Sequence, residues 1–104
     1  MAFVAALKVA DVPPQRGKFV RVGDHALAVF CVADTYYALD NECPHRGGIL
    51  AEGTIVGQAV MCPLHPAQFD LASGRVLCPP AKRGVTSYPC RVVGEYVEID
   101  VPTE

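Results

Sequence analysis

Cys43-Pro44-His45-Arg46-Gly47-Gly48 and Cys62-Pro63-Leu64-His65 decide how this chain reads. Together they spell C-x-H-x16-C-x2-H. Each pair sets a soft thiolate donor beside an imidazole, and two such pairs suit a metal centre with two chemically different ends. The first lies in a loop marked by Pro44, Gly47 and Gly48, and the second in a proline-bounded loop, Cys62 to Pro66. Between them Thr54-Ile55-Val56 and Ala59-Val60-Met61 flank Gly57-Gln58 as a hairpin, and beyond them Phe69-Asp70 and Arg75-Val76-Leu77 flank Ala72-Ser73-Gly74 as another. Two loops hung on adjacent hairpins let residues distant in sequence converge.

Outside this middle section the chain reads as simple strands. Phe3 to Leu7 is a first strand, broken at Asp11-Val12-Pro13-Pro14 because consecutive prolines cannot continue a ladder. Lys18 to Val22 and His25 to Val32 flank Gly23-Asp24, a tight-turn signal, and Tyr36 to Asp40 follows a turn at Ala33-Asp34-Thr35, making a β-meander. Cys78-Pro79-Pro80 is a stiff loop, after which Val85 to Tyr88 and Arg91 to Val93 are strand-like. Tyr96 to Val101 alternates, with Val97, Ile99 and Val101 on one face and Tyr96, Glu98 and Asp100 on the other, the period of a half-buried strand. No segment carries a helical stripe. The expected fold is all-β: an antiparallel sandwich or barrel-like base with an inserted metal-carrying lobe at about residues 42–78, within a single domain spanning 1–104.

Composition narrows the function. A chain of 104 residues, 51% hydrophobic, suits one small domain with one modest core. A net charge of −2 leaves no basic footprint for nucleic acid. No apolar run reaches membrane-span length, and Met1 to Leu7 lacks the basic leader of a secretory signal. Five cysteines, two of them beside histidines, favour a reducing cytoplasm over a disulfide framework.

The two loops resemble the ligand loops of Rieske [2Fe–2S] proteins. The flanks are similar as well: Asn41-Glu42 before the first loop, Leu50-Ala51-Glu52-Gly53 after it, then Phe69-Asp70, Ser73-Gly74, Tyr88-Pro89 and Arg91-Val92. The resemblance implies one [2Fe–2S] cluster, with Cys43 and Cys62 on the inner iron and His45 and His65 on the outer iron. Two ferric ions, two sulfides and two thiolates sum to zero formal charge when the imidazoles are neutral. An electron therefore enters more easily than it enters an all-thiolate cluster. The electron is expected to pass through His45 or His65. Each imidazole's second nitrogen would be more acidic on ferric iron, so the potential should fall at alkaline pH.

High-potential Rieske proteins add a disulfide between these loops, at positions matching Gly48 and Leu64, and Ser and Tyr hydroxyls at positions matching Ala67 and Phe69. None of the four is present. Fewer donors leave the reduced cluster less stabilised, so a potential of about −150 mV, the low end of the Rieske range, is expected. The low-potential branch contains the ferredoxins of ring-hydroxylating oxygenases and the small subunits of NAD(P)H-dependent nitrite reductases. The expected function is one-electron transfer from a flavin or NAD(P)H-dependent reductase to a terminal oxygenase, by a carrier rather than a complete enzyme. The alternative within this class is the small subunit of an assimilatory nitrite reductase, joined to its large subunit. Pro66 after His65 is less usual for either.

Other chemistries compete for the same residues. A structural Cys₂His₂ zinc site would make the chain an interaction module, but zinc fingers usually take both cysteines from one knuckle and both histidines from a helix, whereas each loop here supplies one of each. A cysteine nucleophile with a histidine base lacks an accompanying oxyanion motif. Cys31 and Cys90 read as small buried thiols and His25 as a solvated surface residue. Cys78 reads as structural, beside a proline loop that covers the cluster in related proteins. Arg46, Lys82 and Arg83 read equally as a basic rim around the histidines or as ordinary solvated charge, and Pro44, Leu64, Pro66 and Pro79 as a small apolar apron suited to a quickly reversed contact.

Overall fold

The computed structural model describes residues 2–42, 49–63, 67–78 and 84–101. Among them there are eleven strands, β1 (Ala2–Lys8), β2 (Gly17–Val22), β3 (His25–Val32), β4 (Thr35–Asp40), β5 (Thr54–Val56), β6 (Ala59–Met61), β7 (Gln68–Asp70), β8 (Val76–Cys78), β9 (Ser87–Tyr88), β10 (Cys90–Val93) and β11 (Tyr96–Val101). Two single 3₁₀ turns, Val9–Asp11 and Leu50–Glu52, are the helical segments among these residues. The fold is all-β, as expected.

The strands form three antiparallel sheets, ordered β1-β11-β10, β2-β3-β4-β9 and β5-β6-β7-β8. The middle sheet explains the architecture. Its central strand, β3, reads as an almost unbroken apolar run, and such a run belongs to a strand covered on both faces. Ala28, Phe30 and Val32 point into one core with Leu39, Leu50, Val60, Ala67, Phe69 and Leu71. Leu27 and Val29 point into a second core with Val12, Ala38, Tyr88, Val97, Ile99 and Val101. One strand thus divides the metal-loop side from the base side. Each large side chain buried in these cores is worth about 1.5–3 kcal/mol.

The alternation expected along Tyr96 to Val101 is present, with Val97, Ile99 and Val101 buried and their neighbours partly exposed. The meander β2-β3-β4 is present with its turn residues in place, Gly23 at φ +60° and Ala33 and Asp34 at +52° and +63°. The first strand does not extend that meander. It pairs with β11 at the other end of the described chain, Phe3 opposite Asp100 and Ala5 opposite Glu98. Arg91 ties this outer sheet together, forming a 2.8 Å ion pair with Glu98 while its guanidinium lies 4.0 Å from the Phe3 ring centroid.

The strand expected over Val85 to Tyr88 is shorter, covering Ser87–Tyr88 alone. The two preceding residues have other bonding partners. The Val85 N–H donates to the Gly74 carbonyl at 2.8 Å, and the Thr86 carbonyl accepts from the Asp40 N–H at 3.0 Å. Gly74, at φ +76°, and Gly84 lie back to back, and a Cβ on Gly84 would run into the Gly74 carbonyl oxygen. This contact closes the excursion that carries β8. A turn of Asp70 and Ser73 braces it, the Ser73 N–H and hydroxyl both donating to Asp70 Oδ2 at 3.0 and 2.8 Å.

Candidate metal centre

The first candidate loop leaves the middle sheet at the end of β4. Its stems are joined by an antiparallel bridge between Glu42 and Ile49, which fixes the two ends between which residues 43–48 lie in sequence. Asn41 reinforces the join. Its carbonyl accepts the Leu50 N–H at 2.7 Å, its side-chain Oδ1 accepts the Ala51 N–H at 3.1 Å, and its own N–H donates to the Ala26 carbonyl at 3.0 Å. Asn41 is the buried polar side chain of the described residues, a position that demands satisfied hydrogen bonds.

The second loop leaves β6. Cys62 follows Met61 directly and is 3% exposed, within the metal-side core. Its N–H donates to the Ala67 carbonyl at 3.0 Å, which ties together the two ends of the second candidate segment. The two loops start side by side, because the segment leaving the first runs into β5, where Thr54 pairs with Met61. Leu50 and Cys62 accordingly share one apolar cluster with Ala67 and Phe69. Ala67 and Phe69, both fully buried, offer no side-chain hydroxyl there.

Of the four expected ligands, Cys62 is described; Cys43, His45 and His65 lie outside the described residues, as do Arg46, Lys82, Arg83 and the prolines and leucine of the expected apron. The role expected for the Cys78 side chain also lies outside them. The donor chemistry fits a Rieske cluster where it can be tested. A sulfur donor packed in a dry core suits the inner iron, and loops clamped at their stems suit ligands that must hold geometry in two oxidation states.

Three other residues differ from their sequence reading. His25 is half-buried rather than solvated, and its ring meets Tyr88 edge-on at 5.9 Å between centroids. Tyr88 donates its hydroxyl to Asp40 Oδ1 at 2.7 Å, a bond between β9 and the strand that leads into the first loop. Burial and then this bond push the Tyr88 pKa well above the ordinary tyrosine range. Cys31 and Cys90 are half-buried thiols rather than fully buried ones. Burial still pushes the Cys90 thiol up to about 12. The sequence signal for the Tyr88–Asp40 bond is thin, since nothing local relates two residues 48 positions apart.

Comparison with known proteins agrees with this geometry. The chain is 39% identical over 101 residues to the 3-phenylpropionate/cinnamic acid dioxygenase ferredoxin subunit of Shigella boydii, covering 95% of this chain and 93% of the relative. It is 32% identical over 99 residues to the ferredoxin component of the naphthalene 1,2-dioxygenase system of Pseudomonas aeruginosa, covering 95% of each. The solved structure of a Sphingomonas yanoikuyae B1 ferredoxin superposes with a TM-score of 0.89 at 29% identity, over 97% of this chain and all of that one. The family description of the Rieske [2Fe-2S] domain matches residues 2–89. A [2Fe–2S] centre of Rieske type is therefore the cofactor, in place of the zinc alternative. By its loops, its fold and its relatives, the chain belongs to the Rieske [2Fe-2S] domain family.

Proposed function

We propose that this chain is a one-electron carrier, a single Rieske domain over residues 1–104 with its cluster lobe at about 42–78. Cys43 and Cys62 would hold the inner iron, and His45 and His65 the outer iron. When bound, the cluster supplies a one-electron couple. The protein's own contribution is placement: the base sheets hold both loop stems, and the metal-side core keeps water from the Cys62 sulfur. Relatives that are named ferredoxin components and subunits support a role as a component of an oxidoreductase system rather than as the catalyst.

The partners that fit are a flavin or NAD(P)H-dependent reductase on the donor side and the terminal oxygenase of a ring-hydroxylating dioxygenase system on the acceptor side. The observation that carries this choice is the near end-to-end identity of 39% and 32% with two dioxygenase ferredoxins. No helix of the described residues is long and apolar enough to cross a membrane. A reducing cytoplasm is the compartment this reading implies, and the unbridged Cys31 and Cys90 are consistent with it. The test is reoxidation of the dithionite-reduced protein. Fast turnover with a terminal dioxygenase, without a lasting complex, is the expected result. A stable complex with a sirohaem protein would instead select the nitrite reductase subunit.

A further inference from the structure

We propose that Asn41 is a positioning residue for the first ligand loop, fastening its two stems so that Cys43 and His45 meet the iron in fixed geometry. This rests on the ligand assignment above. Three hydrogen bonds converge on Asn41, and they tie three segments together: the start of β3 through Ala26, the exit from β4 through its own backbone, and the returning stem through Leu50 and Ala51. Two of these bonds are backbone bonds that any residue could make. The third needs a side-chain acceptor two bonds beyond Cβ, reaching the Ala51 N–H at 3.1 Å. Asn supplies that acceptor from a position only 8% exposed, where water cannot readily replace it.

The placement sets this contact apart from ordinary core packing. Asn41 belongs to neither apolar cluster; it lies just before the Glu42–Ile49 bridge, and its partner Ala51 lies just after it, at the rim of the metal-side cluster. Loss of the side-chain acceptor would leave the Ala51 N–H without this bond while removing no side chain from either apolar core. The freedom gained would therefore fall on the loop stems, and through them on the ligand geometry.

The test uses the cluster-loaded protein and three variants, Asn41→Ala, Asn41→Asp and Val97→Ala. The last empties space in the opposite core and serves as a stability control. Iron release to a chelator and the EPR spectrum of the reduced protein are the readouts, alongside thermal denaturation. Asn41→Ala is expected to release iron about tenfold faster or more, with shifted g-values. Asn41→Asp keeps an acceptor oxygen in the same place and should restore both readouts toward wild type. Val97→Ala should lower the melting temperature and change neither. Wild-type iron release and EPR in Asn41→Ala, or changes no larger than those of Val97→Ala, would overturn the proposal. If Asn41→Ala does not fold, Asn41→Ser carries the comparison: faster release supports the proposal and wild-type release overturns it. A wild-type protein that takes up no cluster would refute the ligand assignment itself.

Discussion

Replacing Tyr88 with Phe removes one hydroxyl and leaves the ring in place. The hydroxyl donates to Asp40 Oδ1 at 2.7 Å, and Tyr88 is a buried residue of the base-side core. A hydrogen bond to a charged group is worth about 1.5–3 kcal/mol net. Asp40 is half-buried, so water can partly take the hydroxyl's place, and the lower end of that range applies. A loss of about 1.5 kcal/mol in a domain of this size lowers the melting temperature by roughly 6–12 °C. The pH dependence is more diagnostic. Burial and the Asp40 bond raise the Tyr88 pKa in the folded state. A raised pKa means the folded protein holds the proton more tightly than the unfolded chain does. The stabilisation is therefore complete below the unfolded tyrosine pKa of about 10, and it is lost as pH rises beyond that. The gap between wild type and Tyr88→Phe should begin to close near about pH 10, at a rate that rises toward about 1.4 kcal/mol per pH unit about one unit higher. Thermal scans by circular dichroism at fixed scan rate, from about pH 7 to pH 11, measure it. A melting-temperature gap under about 2 °C at neutral pH, or one that stays constant into the alkaline range, would show that the Tyr88–Asp40 bond does not carry this stability.

Gly84→Ala drives a Cβ into the Gly74 carbonyl oxygen, a backbone atom with no flexible end to yield, and should cost about 1–3 kcal/mol, read as a lower melting temperature. Ala33→Asn places a residue tolerant of left-handed backbone at φ +52° and should stabilise the β3–β4 turn by about 0.5–1 kcal/mol; an unchanged or lower denaturation midpoint would count against the turn assignment. With its thiol pushed up to about 12, Cys90 holds about one thiolate in ten thousand near pH 8. Mass mapping after iodoacetamide at that pH should find Cys90 unmodified in the folded protein and modified once it is unfolded.

Local chemistry made much of the fold legible. The alternation of Tyr96 to Val101 set its inward face, and the turn residues between β2, β3 and β4 set the meander. The pairing of β1 with β11 was hidden, because closure between strands so far apart is decided by sheet twist and core packing rather than by any local pattern. Val85 and Thr86 look like strand residues and pair with nothing regular, since their backbone groups are drawn to Gly74 and Asp40. His25 reads as a surface residue beside a turn, and only the arrival of Tyr88 on β9 gives it an aromatic neighbour. For the site, the Cys/His spacing and the flanking residues marked the two loops. The stem contacts of Asn41 depend on where the chain returns at Leu50 and Ala51, which the spacing does not specify.

Pulsed EPR on the dithionite-reduced protein, reconstituted anaerobically with iron and sulfide, addresses the ligand set most directly. A Rieske-type signal with couplings to two histidine nitrogens is expected, both couplings being lost when His45 and His65 are replaced by cysteine. A signal without nitrogen coupling, or a colourless protein holding one zinc ion, would contradict that ligand set.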